Sequence, residues 1–329
     1  MHFLIIGVGS IGERHLKNFL RVDAVRCSIA EPHERRQRVA DENKVEKAYA
    51  DYRDADLSGF DGVVICAPAH LHVRMALDIV KAGTHVLTEK PLSVSLDGVD
   101  DLKRLRDEKG VVISVAFPLR SNPLTRELKQ VVDSNRLGSV RFVNYYAGQY
   151  WPDCRRDYPP QYAQSRDTGG GAIPDHLVHH ANHLEWVLGP VEAVSAHHWR
   201  KVLDDIATED LALVTLRFKS GAIGHLGTCL FQKDMTMRLQ IAADRGTLRL
   251  EDDDKTIQIF DADQGRWTPG KEQMIDRDDI FVSQARHFID CIEGRARPRC
   301  TVEEAEATLR TVLAALESAD GDGRWVNVG

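Results

Sequence analysis

Three groups of residues in this 329-residue chain have the types and spacing that chemistry requires. Gly7, Gly9 and Gly12 form a G-x-G-x-x-G run directly after the apolar segment Phe3–Ile6 and ahead of a helical pattern. In such a turn the first glycine permits the sharp bend and the second lets backbone N–H groups approach a pyrophosphate. The third allows close helix–strand packing. Ser10 and Ile11 complete the loop, and the helix N-terminus behind it offers partial positive charge to phosphates. Glu31 follows 19 residues after Gly12, at the end of a second strand-like run, where an acid accepts hydrogen bonds from an adenosine ribose. A carboxylate there repels a 2′-phosphate, so NAD is expected over NADP. Arg35 and Arg36, one turn on, would reverse that preference by pairing with the phosphate, or else line an exposed helix face.

The second group is Thr88-Glu89-Lys90-Pro91, at the carboxyl end of the predicted strand His85–Thr88, where an open α/β sheet places its ligands. Partial burial lowers the pKa of an ammonium and suits it to exchange a proton with a reacting hydroxyl. Alternatively, Glu89 and Lys90 only cap the strand. The third group is Asp175 and His179, four residues apart on a predicted helix, a spacing that turns both to one face. Histidine is the usual acid–base group near neutral pH, and a neighbouring carboxylate orients it. His176, His179, His180 and His183 make an i, i+3, i+4, i+7 stripe. Such a stripe, with Asp175, has the donors for a transition metal, but it reproduces no zinc spacing and no metal is expected. His176 and His183 are instead candidates for substrate contact.

The elements that must carry these groups are legible from periodicity. Apolar runs at Phe3–Ile6, Val25–Ala30, Gly62–Ala67, His85–Thr88 and Val111–Ala116 alternate with helical patterns at Ile11–Leu20, His33–Asp41, Leu71–Ala82 and Leu96–Lys109. That alternation implies a doubly wound parallel sheet over residues 1–118. Residues 119–329 read as an α+β domain with a large, open, mostly antiparallel sheet. Its helices fall near 123–134, 174–188, 279–293 and 302–317, the last placed to pack back toward the first domain. Its strands fall near 140–150, 191–198, 211–218, 222–230, 236–241, 247–250 and 256–260. The irregular stretch 151–171 precedes the His-rich helix and carries Trp151, Asp153, Arg155, Arg156, Tyr158 and Arg166. Aromatic faces stack on sugar rings and Arg or Asp bind hydroxyls and carboxylates, so this is the expected substrate loop.

Composition excludes other classes. With 43 Lys and Arg against 50 Asp and Glu, the net charge of −7 carries no basic tail for nucleic acid or anionic membrane. No apolar run approaches the ~20 residues of a membrane helix. No secretory signal is visible at the N-terminus, and the six scattered cysteines read as free thiols of a cytoplasmic protein.

GVGSIGERH, VVICAPAHLH, HVLTEKPLS and GGGAIPDHLVHHANHLEWVLG occur in an order and spacing that resemble the glucose–fructose oxidoreductase, inositol dehydrogenase and rhizopine-catabolism family, Gfo/Idh/MocA. The resemblance runs over nearly the whole chain. It implies an NAD(P)-dependent oxidoreductase acting on a sugar, sugar acid or cyclitol, assembled as a homodimer or homotetramer. By matching position it implies Lys90, Asp175 and His179 as the catalytic residues. Ala67, Pro68 and His72 match the segment that passes the nicotinamide ribose, and Glu89 lies beside the cofactor with Lys90. Arg120 and Pro123 match the R-x-x-P of the interdomain connection, with Arg120 near substrate. His179 would remove the hydroxyl proton, Lys90 would stabilise the developing alkoxide, and Asp175 would position His179 or a second hydroxyl. The chain departs from many members in carrying Asn182 where they have an acid. Two other classes remain open at this stage. One is a lyase or glycosidase that uses bound NAD transiently; the other is a cofactor-binding sensor without turnover.

Overall fold

The computed structural model describes residues 1–154, 165–251, 255–273 and 276–329. The first unit is built on six short strands: β1 (His2–Ile6), β2 (Arg26–Ala30), β3 (Ala48–Tyr49), β4 (Gly62–Ile65), β5 (His85–Glu89) and β6 (Ile113–Ala116). All pair in parallel in the order β3-β2-β1-β4-β5-β6. Strands buried on both faces need continuous apolar runs, which is why HFLII and GVVI read as they do. Between them run the helices α1 (Ser10–Phe19), α2 (Arg35–Asn43), α3 (His72–Lys81) and α4 (Val99–Lys109). The strand order reverses between β1 and β4, and ligands of such sheets sit beyond the carboxyl ends of the strands at that point. Gly7, Glu31, Ala67 and Lys90 all lie just past those ends.

The core of this unit packs Phe3, Ile5, Leu16, Phe19, Cys27, Ile29 and Val64 against Ala285 and Phe288. The Phe3 and Phe19 rings meet edge-on with centroids 4.9 Å apart. Burial pushes the Cys27 thiol up to about 12, so it behaves as a small apolar side chain.

In the second unit come α5 (Pro123–Asp133), β7 (Val140–Tyr150), the short α6 (Trp151–Cys154) and α7 (Val178–Leu188). The strands β8 (Val191–Trp199), β9 (Leu211–Phe218), β10 (Ile223–Cys229), β11 (Phe231–Ala243), β12 (Gly246–Glu251), β13 (Gln258–Asp261) and β14 (Arg266–Pro269) follow. Helices α8 (Arg277–Ile292) and α9 (Val302–Asp320) and the strand β15 (Val326–Asn327) end the chain. The nine-stranded sheet runs β14-β13-β12-β11-β7-β10-β9-β8-β15, and only the β7–β10 pair is parallel among the described residues. Along β9 every second residue is buried, the alternation of a sheet with one covered face. Asn122 caps α5 by accepting from Leu124 N–H, with Pro123 at the first helical position where its missing N–H costs nothing.

Three differences from the sequence reading have physical reasons. Residues 276–306 cluster with the first unit, which otherwise runs to Ser121, rather than with residues 122–275 and 307–329. Ala285 and Phe288 of α8 fill the Rossmann core, so the boundary near 118 gives one continuous piece where the fold uses two. β3, β14 and β15 went unread because two- to four-residue edge strands carry too few residues to show a period. The helix expected from residue 174 begins instead as a π-helical segment, Ala172–Leu177, that passes into α7. No helix among the described residues is long and apolar enough to cross a membrane.

Candidate active site

In the first unit the glycine loop is held by close backbone approach. Gly7 has φ +81°, and a Cβ there would lie 2.8 Å from the Cys66 carbonyl oxygen. A Cβ on Gly12 would lie 1.8 Å from the Gly7 carbonyl oxygen, so only glycine lets α1 come this near the strand. Gly9 is different. A Cβ there would meet nothing within 4 Å, and Gly9 is the N-cap of α1 with no side-chain cap on the helix end. The helix end at Gly9 therefore faces open space, with exposed Ser10 and half-buried Ile11 beside it.

Glu31, only 3% exposed, fixes the far side. Its Oε2 accepts from Val8 N–H at 2.9 Å and its Oε1 from His33 N–H at 3.1 Å. Arg35 Nε lies 3.5 Å from Oε1, and Arg36 donates to the Glu31 carbonyl at 2.6 Å. Both arginines are thus turned toward Glu31. The open side of Gly9 and the anchored acid leave room for a dinucleotide at this loop.

The lysine turn lies past β5. Lys90 is half-buried and is followed by a cis peptide to Pro91. Glu89 is buried, with Oε1 2.7 Å from His15 Nε2 and Oε2 accepting from Lys90 N–H at 3.2 Å. Both carboxylate oxygens are engaged within the unit, so Glu89 braces the turn that carries Lys90. His72 is likewise a support. It is 1% exposed, and its Nδ1 and Nε2 lie 2.8 Å from the carbonyl oxygens of Pro91 and Ala67. Those carbonyls favour the protonated ring, but burial outweighs them and moves its pKa down. Ala67 and exposed Pro68 keep accessible surface at the carboxyl end of β4.

Arg120 also departs from expectation. Its side chain is 2% exposed, 2.6 Å from Glu304 Oε1 and 2.7 Å from the Arg299 carbonyl oxygen. Glu304 in turn accepts from Thr301 N–H at 2.9 Å. A guanidinium this enclosed ties the start of α9 to the segment after β6, and that commitment removes it from the substrate-contact set.

In the second unit the histidine stripe divides. Asp175, His176 and His179 are half-buried and retain accessible surface. His180 and His183 are buried, packed edge-on to the Tyr145 ring with centroids 4.7 and 5.8 Å away. With no accessible surface, His183 serves packing, and the expectation that it meets substrate is withdrawn. His176 Nδ1 pairs with Thr228 Oγ1. Asn182 donates to Thr308 Oγ1 of α9 at 3.0 Å, and Thr308 and Thr311 both donate to Glu185. The amide at this departure from the family pattern is a helix–helix tie. Among the described residues no group of three or more His, Cys, Asp or Glu is arranged to hold a metal.

The π-helical segment is set by Glu209, which is 3% exposed. Its Oε1 accepts from Ile173 N–H at 3.2 Å, and a Cβ on Gly171 would strike its carboxylate. Arg166 donates to Glu209 Oε2 at 3.1 Å and pairs with Asp320 at 2.9 Å, so its charge is met within the fold. The sequence reading missed Glu209, His15 and Thr228. For His15 a signal existed, a histidine on the apolar face of α1. Trp151 is 4% exposed and its backbone N–H donates to the Leu230 carbonyl, an interior position that does not suit ring stacking with a sugar. Asp153 is exposed. Arg155, Arg156 and Tyr158 lie outside the described residues.

Two family models match. "Oxidoreductase family, NAD-binding Rossmann fold" covers residues 1–117, and "GFO/IDH/MocA C-terminal domain" covers residues 125–249. The chain belongs to the Gfo/Idh/MocA oxidoreductase family. Within it, the myo-inositol 2-dehydrogenase of Thermotoga maritima is 26% identical, over 97% of this chain and 96% of its own length. The D-xylose 1-dehydrogenase (NADP(+)) 2 of Haloferax volcanii is 27% identical, over 97% and 98%. A levoglucosan dehydrogenase solved in complex with NADH superposes with a TM-score of 0.89 at 19% identity, covering 100% of this chain and 99% of that one. That last likeness speaks to the fold.

Proposed function

We propose that this family member is an NAD-dependent dehydrogenase or reductase that interconverts a carbinol and a carbonyl of a sugar, sugar acid or cyclitol. The observation that carries the reading is Lys90, half-buried on a braced turn at the same sheet edge as the glycine loop and Glu31. Bound NAD would accept or return the hydride. Backbone N–H groups around Gly9 hold the pyrophosphate, and Glu31 accepts from the adenosine ribose. The Lys90 ammonium stabilises the oxygen of the substrate as negative charge grows on it. His179 takes the hydroxyl proton in oxidation and returns it in reduction, and Asp175 orients His179 or a neighbouring hydroxyl. The carbohydrate class is drawn from what the relatives' names say they act on.

Two coarser parts of the reading concern setting. Exposed Phe142 and Ile223 are register partners on β7 and β10, and apolar neighbours of that kind support a homodimer or homotetramer formed through the sheet. Six free cysteines, four of them buried, suit a reducing compartment, and we place the protein in the cytoplasm.

The test begins with thermal melting against NADH and NADPH, where ligand at 100 times its Kd adds about 2.7 kcal/mol. A panel of polyols, aldoses and sugar acids with NAD⁺ then reads NADH absorbance. Lys90→Ala should cut turnover about 100-fold while NADH still raises the melting temperature. Full turnover in that variant removes Lys90 from the mechanism.

A further inference from the structure

The Rossmann unit buries a histidine–glutamate hydrogen bond that the proposed chemistry does not use. His15, on α1, is 1% exposed and its Nε2 lies 2.7 Å from Glu89 Oε1. The imidazole is enclosed by aromatic rings, with Phe281 edge-on at 5.4 Å and Phe19 at 6.5 Å between centroids. A carboxylate in such surroundings is costly unless it is paired and hydrogen-bonded. Glu89 meets that demand with His15 on one oxygen and the backbone N–H of Lys90 on the other. The residue ahead of the lysine is thus tied to the helix that follows the glycine loop. On the other side, the Pro91 carbonyl is held at 2.8 Å by His72.

We infer that His15 is a positioning residue for Lys90. Acting through Glu89, it sets the place and surroundings of the ammonium and links them to the helix whose first turn faces the pyrophosphate. His15 itself touches neither substrate nor cofactor. As a positioning role, the inference rests on the reading of Lys90 as the catalytic cation, but its geometry stands in the free protein and is tested there.

The experiment is competitive acetylation of the full chain with acetic anhydride, each lysine being quantified by peptide mass spectrometry. Exposed Lys17 and Lys81 serve as internal references. In His15→Ala the Lys90 acetylation rate should change about threefold or more against the references, the effect of half a pKa unit on the free-amine fraction. In His15→Gln, whose Nε2–H can still donate to Glu89, the rate should return to within about 1.5-fold of wild type, a change smaller than a quarter of a pKa unit makes. If His15→Ala shows no cooperative melt, Glu89→Gln is read in the same way and should move Lys90 alone. An unchanged Lys90 rate in a folded variant overturns the inference, as does a change that Gln fails to rescue. The two readings fail separately. Full turnover by Lys90→Ala removes the catalytic assignment whatever the acetylation shows. An inactive Lys90→Ala beside an unresponsive Lys90 rate removes only the role of His15.

Discussion

The backbone N–H of Val8 donates to Glu31 Oε2 at 2.9 Å, so the acid at the end of β2 is fastened to the glycine loop it faces. Because His33 N–H and Arg35 occupy the Oε1 side, the carboxylate is held in one orientation before any nucleotide arrives. Preorganisation of this kind lowers the ordering cost of binding. Glu31→Ala should therefore weaken NADH about tenfold, the worth of a hydrogen bond to a charged group. The same change frees the Arg35 side chain for a 2′-phosphate and narrows the NADH-to-NADPH preference. Isothermal titration with both nucleotides measures the ratio, and a ratio equal to wild type would remove Glu31 from cofactor choice.

The glycines of the loop divide into two kinds, and substitution should separate them. Gly9 has an extended backbone and open space around its missing Cβ, so Gly9→Ala should melt near wild type yet lose NADH stabilisation, because the methyl occupies the phosphate side. Gly12→Ala puts a carbon 1.8 Å from the Gly7 carbonyl oxygen and should destabilise the fold itself by about 3 kcal/mol. Melting curves with and without NADH distinguish the two. Loss of fold in Gly9→Ala would contradict the open cradle.

What could be read from sequence was local. The glycine spacing, the β–α alternation and the position of Lys90 at a strand end depend on neighbours within a few residues, and each stands in the structure as expected. The supporting groups depend on distant partners. Glu89 meets His15 across 74 residues, Ile173 meets Glu209 across 36, and Asn182 meets Thr308 across 126. No period or spacing encodes such pairs. Burial was the other blind spot: Arg120 followed from a matching position and His183 from a histidine stripe, and neither says that one is sealed against Glu304 and the other against Tyr145. The π-helical start at Ala172 escaped because an apolar run fits a π turn as readily as an α turn.

Arg120 yields a prediction opposite to the one its type suggests. A guanidinium 2% exposed and paired with Glu304 is a structural strut, so Glu304→Ala leaves a buried cation short of its counter-charge. Loss of a buried partner costs 3–5 kcal/mol, and because Glu304 is 41% exposed about 2 kcal/mol is expected. Chemical denaturation should register that loss while the KM for any active polyol stays within about twofold, since a pure stability effect leaves substrate binding intact. A large KM change with unaltered stability would return this corner to the substrate site.

The last prediction concerns pH. His85 Nδ1 accepts a hydrogen bond from Val112 N–H at 2.9 Å, a bond only the unprotonated nitrogen can make. Burial lowers the His85 pKa below its ordinary 6.5, and burial likewise lowers that of His72. A histidine depressed in the folded state binds its proton more readily when unfolded. The unfolded chain therefore takes up more protons as pH falls through 6.5, and stability declines with it. Above that value both states are neutral at these rings and the contribution is flat. Most carboxylates release or take protons lower, near pH 4, so the window between about 5 and 6.5 belongs chiefly to the histidines. The melting temperature should accordingly hold steady from about pH 8 to 7 and fall below 6.5. His85→Asn, whose side-chain oxygen can accept from Val112 without titrating, should make that fall shallower. An acid limb of the same steepness in the variant would show that His85 does not contribute to it.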